Sequence, residues 1–137
     1  MNFTPLRFMA LAGLLTAFAG SGSASAHHSF AMFDQDKVVT MEGTVSEFEW
    51  INPHSWLHFT ATSDEGVEQE WSIELASVGQ QVRAGWTPET LKPGDAITIE
   101  FNPLRDGSRG GTLLNVTLPN GETLGHGGMP ANPITAN

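Results

Sequence analysis

Five stretches of this 137-residue chain alternate apolar and polar residues with a period of two, and turn signals separate them. That pattern predicts half-buried strands. In the first, Val39, Met41 and Val45 alternate with Thr40, Glu42, Thr44 and Ser46, and Gly43 suggests a bulge or sharp coiling. After a turn at Asn52-Pro53, the stretch from Ser55 to Thr62 sets Leu57, Phe59 and Ala61 on one face and Trp56, His58 and Thr60 on the other. Asp64-Glu65-Gly66 turns the chain into a third stretch, Glu68 to Ala76, whose inner face is Trp71, Ile73 and Leu75. A fourth, Ala96 to Asn102, points Ile97, Ile99 and Phe101 inward. A loop from Asp106-Gly107 through Gly111 leads to a fifth, Thr112 to Leu118, read as inward through Leu114, Val116 and Leu118.

The alternation stops between Ser77 and Ala84, where Ser77 can cap a short helix, Val78 and Val82 stand four apart and Gly85 can end it. Three strands, one short helix and two more strands is the order of an all-β, five-stranded OB-like barrel. A sandwich or meander of the same strands is the alternative. Residues 27–124 form the expected single domain. Residues 125–137, rich in Gly, Pro and Asn, are expected to be a flexible tail.

Residues 1–26 have the three parts of a secretory signal: Arg7, an apolar stretch from Phe8 to Ala19, and small residues ending Ala24-Ser25-Ala26. The apolar part is about a dozen residues, short of the roughly 20 a permanent membrane span needs. The expected product is periplasmic and not membrane-spanning. It keeps all 15 acidic residues and five of the six basic ones, a formal charge of −10. That balance argues against nucleic acid and anionic lipid. With no cysteine, disulfides and thiolate metal sites are excluded, so a metal must be held by nitrogen, oxygen or thioether.

Further motifs stand at fixed places: HHSF after the signal segment, Gly43-x-Val45, Trp50-x-Asn52-Pro53-His54-x-Trp56, Gly85-Trp86, and Leu91 to Asp95 as LKPGD. In these the chain resembles a family of small exported bacterial proteins of unknown function. The resemblance implies export and a single domain, and it brings no catalytic residues.

Cleavage after Ala26 makes His27 the first residue, whose amine and ring chelate one metal while His28 or a distant histidine completes the plane. Copper(II) favours such a tetragonal nitrogen set. The ligand set is similar to a histidine brace. Cleavage after Ala24 instead places His27 third, itself a copper(II)-binding terminus. His54 and His58 are the other candidate ligands; their i, i+4 spacing on a strand separates them by roughly 13 Å at about 3.3 Å per residue. They cannot share an ion unless the Asn52-Pro53 turn folds His54 back.

Trp50, Trp56 and Trp86 are candidates to line a ligand cleft. His126 and Met129 fall in the expected tail. Glu47, Glu49, Glu70 and Glu74 are candidates for a solvent-facing carboxylate patch, without the acidic loop calcium sites use. No nucleophile elbow, zinc-protease pair or phosphate loop is present, so no enzyme is expected. The functional expectation is a periplasmic binding or accessory protein that captures or carries copper(II). The alternative is a metal-free interaction module binding a peptide, small ligand or partner protein through its tryptophans.

Overall fold

The computed structural model describes residues 30–127. The signal segment, His27, His28 and Met129 lie outside them. A single 3₁₀ turn, Phe30–Met32, leads into β1 (Val39–Glu49), β2 (Trp56–Thr62), β3 (Glu68–Glu74), α1 (Val78–Arg83), β4 (Ala96–Pro103), β5 (Gly110–Thr117) and β6 (Thr123–Gly125). The hydrogen-bonded order is β3-β2-β1-β4-β5-β6, and a parallel β3–β5 pairing closes the first five strands into a barrel. The result is the expected OB-like arrangement, with its short helix between strands three and four.

Closure allows two sides for every strand, and the period-two pattern fills the inner one. Leu57, Phe59, Ile73, Leu75, Ile97, Ile99 and Phe101 are all buried. Trp71 packs on the edge of this core, its ring 5.6 Å from Phe101. Gly43 is required by close approach rather than by a bulge: a Cβ there would lie 2.4 Å from the Phe59 ring and 2.6 Å from the Thr60 carbonyl oxygen.

The bulges lie elsewhere, and they change which residues face in. On β1 the register shifts between Val45 and Glu47, so Ser46 is the extra residue. Val45 points into the core, while Phe48 two places beyond the bulge packs on it in turn. On β5 the shift against β4 makes Leu114 the extra residue. Leu113 therefore fills the core with Val116, and Leu114, expected inward, stays only half-buried outside it.

Three further departures have local causes. Gly110 and Gly111, expected in a loop, begin β5, because their missing side chains let it run beside both β3 and β4. The helix turns Gln81 inward and leaves Val82 57% exposed; Gln81 Nε2 donates to the Ala76 carbonyl at 2.8 Å. Its start is held by Gln80, whose side-chain oxygen accepts from the Ser77 backbone N–H and hydroxyl.

Finally, residues 125–127 are packed structure, not tail. The Trp86 indole N–H donates to the Gly125 carbonyl, the His126 N–H donates to the Leu114 carbonyl, and Gly127 lies against Gln81.

Candidate metal centre on the outer face

Residues directly opposite one another in a sheet share a face. Register therefore assembles the outer surface of β1, β2 and β3 in two rows. One row holds Glu47, His58, Ser72 and Gly110; the next holds Glu49, Trp56, Glu74 and Thr112. The Ser46 bulge is what puts both glutamates there. Strict alternation from Val45 would point Glu47 and Glu49 inward; the extra residue reverses the parity and sends them out beside His58.

His58 is held at both ring nitrogens. Nε2 lies 2.8 Å from Glu49 Oε1 and Nδ1 lies 2.8 Å from Ser72 Oγ. One ligand atom each from Glu47, Glu49 and His58 can be chosen so that all lie within 4.8 Å of one another, the one such trio among the described residues. In the metal-free protein Nε2–H donates to the acceptor-only Glu49 carboxylate and Nδ1 accepts from the Ser72 hydroxyl; a metal at Nε2 would replace that proton, and the hydroxyl can then accept from Nδ1–H. An outer partner that fixes the tautomer in this way is the usual companion of a metal-binding histidine.

Ser72, His58 and Glu49 also have the residue types of a hydrolytic triad. However, the Ser72 backbone N–H donates to the Arg109 carbonyl at 3.3 Å, so it is not itself available as an oxyanion donor.

His54 belongs to a different cluster. Its Nδ1 lies 3.1 Å from Glu74 Oε1 and 3.1 Å from the Leu75 carbonyl oxygen, so it is engaged apart from the His58 group. Glu74 is buried beneath it rather than solvent-facing. Glu70 hydrogen-bonds Ser46 at 3.4 Å and is not among the clustered ligands.

The tryptophans do not form a cleft together. Trp86 is 1% exposed and has no surface to offer a ligand; Phe48 lies 5.8 Å from it and 5.7 Å from Trp50, which packs on the core. Trp56 alone of the three belongs to the outer row. A separate concavity of about 760 Å³, lined by Glu42, Thr44, Thr60, Glu68, Thr98 and Thr117 among others, includes no histidine or tryptophan.

A model of a family of unknown function (DUF6152) matches residues 15–115. The chain belongs to DUF6152. No curated protein and no solved structure matches it. The DUF6152 match takes in Glu47, Glu49, His54, His58, Ser72 and Glu74, and stops short of His126. Among the described residues no helix is long and apolar enough to cross a membrane.

His126 supplies a pH dependence. Burial first, and the neighbouring charge of His54 second, lower its pKa below the ordinary histidine value of 6.5. As pH falls below 6.5 the unfolded chain takes up a proton that the folded chain resists, so this group's contribution to stability is lost on acidification. Once pH passes below the folded pKa the loss levels off. Urea unfolding of metal-free protein at pH 7.5 and 5.5 should show wild type losing more stability than His126→Asn; equal losses would contradict the assignment.

Proposed function

We propose that this chain is a small exported accessory protein that captures or carries copper(II), without turnover, on the outer face of its barrel. The observation that carries the reading is the Glu47, Glu49 and His58 trio, with Ser72 behind the histidine. Mixed nitrogen and oxygen sites bind copper(II) most tightly among the first-row divalent ions, and a formal charge of −9 favours cations.

The mature terminus adds donors to this reading. Arg105 N–H donates to the Met32 carbonyl, and Phe33 bridges to Leu104, fastening the first described residues to the β4–β5 loop. The other end of that loop, Gly110, pairs with Ser72. His27 stands three residues before Phe30, a reach of at most about 10 Å. Its amine and ring are the donors that would complete the copper(II) plane if residues 1–26 are removed, with His28 as the alternative.

Titrating copper(II) into the exported protein against a competing chelator tests this. His58→Ala and Glu49→Gln should each weaken binding at least tenfold, with unchanged far-UV circular dichroism. One residue added before His27 should weaken it further. Wild-type affinity in all three variants would sink the proposal.

A further inference from the structure

The concavity of about 760 Å³ plays no part in the copper reading, and strand pairing explains why it exists. β1 pairs with β4 from Val39 to Thr44, but its ladder with β2 begins only at Thr44–Thr60. The far end of β2 goes the other way, where Thr62 pairs with Glu68 on β3. β1 with β4 therefore parts from β2 with β3 beyond Thr44–Thr60, and the opening between the two pairs is the concavity. Gly43 lets the strands touch at its head, since a Cβ there would lie 2.6 Å from the Thr60 carbonyl oxygen.

The period-two alternation points the same residue types outward on both banks. Glu42, Thr44 and Thr98 stand on the β1–β4 bank, and Thr60, Thr62 and Glu68 on the β2–β3 bank. Glu42 pairs directly with Thr98 and Glu68 with Thr62, so each carboxylate has a hydroxyl beside it. None of these six side chains has a hydrogen-bond or ion-pair partner among the described residues. By contrast, Thr117 at the end of the concavity bonds Thr123, and Glu70 outside it bonds Ser46.

The ligand class follows from donors and acceptors. An ionised carboxylate only accepts, whereas a hydroxyl does either. No lysine, arginine or histidine lines the concavity, and the chain carries a formal charge of −9. An anion is repelled, and a ligand gains most by bringing N–H donors and positive charge to two places at once. β2 lies between the strands that carry the two glutamates, so their backbones stand two strand spacings apart, on the order of 10 Å. Apolar atoms of Ala61, Ala96 and Ile97 line the space as well. Its volume falls within the range of about 300–1,000 Å³ common to small-molecule sites.

We propose that this concavity binds a linear aliphatic polyamine, with ammonium groups at Glu42 and Glu68, threonine hydroxyls accepting from further N–H groups, and methylenes lying along the apolar atoms. The site is separate from the His58 trio and stands whether or not that trio holds copper.

The test is spermidine titrated into the full chain, stripped of metal, and followed by amide NMR and calorimetry. The Thr44, Thr60 and Thr98 amides should shift and saturate together at one spermidine per chain. Glu42→Gln and Glu68→Gln should each weaken binding about fivefold, the upper range for an exposed ion pair. Glu89→Gln removes the same charge from an exposed turn that does not line the concavity, and it should leave binding unchanged. Butylamine reaches one carboxylate at a time and should bind at least about fivefold more weakly than spermidine. Glu42 and Glu68 are exposed, so their glutamine variants keep the fold. Equal losses in all three glutamine variants would reduce the effect to general charge attraction and overturn the proposal. So would silent amides in the concavity, or a neutral disaccharide that moves the same amides as strongly as spermidine.

Discussion

Trp86→Ala is expected to lower folding stability by about 3–5 kcal/mol, the range seen when a fully buried tryptophan is truncated. The side chain is 1% exposed, and two separate losses follow its removal. The first is volume: Phe48 loses the ring 5.8 Å away, and Phe48 is also the ring on which Trp50 rests. The second is polar: the indole N–H donates to the Gly125 carbonyl at 2.9 Å, and without it that acceptor lacks its partner. Trp86→Phe should keep most of the packing and lose mainly the hydrogen bond, so it should cost about 1–3 kcal/mol. Urea unfolding at constant m measures both. A Trp86→Ala loss below about 1 kcal/mol would mean that the ring is not a core element. The alanine variant should also loosen residues 125–127, because the bond to Gly125 ties β6 and His126 to the far side of the core. Amide exchange at His126 should then rise in Trp86→Ala and much less in Ile99→Val, a core variant that leaves the Trp86–Gly125 bond in place.

The barrel was legible because its inner face obeys a simple period. Leu57, Phe59 and Ala61, then Ile73 and Leu75, then Ile97, Ile99 and Phe101 alternate without interruption, and that run carries strand, face and order together. Where the period breaks, the pattern no longer gives the face. Apolar positions along β1 and the residue after it change from odd (39, 41, 45) to even (48, 50) across the adjacent polar pair Ser46-Glu47. That change is the signal of a bulge, and weighing it would have placed Glu47 and Glu49 together beside His58. On β5 the consecutive Leu113-Leu114 left the parity ambiguous, and only the β4 register decides it. His58 was legible as a donor from its outward position. The pairing of His54 with Glu74 was not, since it depends on cross-strand register, and hydrophobic pattern leaves the partners of outward polar residues unspecified. The six-residue helix was found by its start and stop signals. Its buried residue was missed because Gln81 goes inward to bond the Ala76 carbonyl, while Val82 stays exposed.

Gly111→Ala should destabilise the barrel by about 3 kcal/mol or more, at or beyond the upper end of ordinary overpacking. A Cβ at this position would lie 2.4 Å from the Asn102 carbonyl oxygen and 2.5 Å from the Phe101 ring. A ring standing alone would turn aside, but Phe101 is fully buried. The carbonyl cannot, because Asn102 is a β4 residue paired with Thr112, and its side-chain Nδ2 donates to the Lys37 carbonyl at 2.8 Å. Relief must come from parting β4 and β5. Gly111 also pairs with Ile73 across the parallel ladder that closes the barrel, so the strain falls on the closure itself. A second glycine supplies the control. Gly79 lies in α1, where a Cβ meets nothing nearer than the Arg83 guanidinium at 3.8 Å. There the same substitution restricts the unfolded chain and suits the helix, so Gly79→Ala should stabilise by about 0.4–1 kcal/mol. Opposite shifts of the two urea midpoints from one chemical change would locate the effect in the β4–β5 approach. A Gly111→Ala protein unfolding at the wild-type midpoint would show that the two strands are not held as close as the geometry requires.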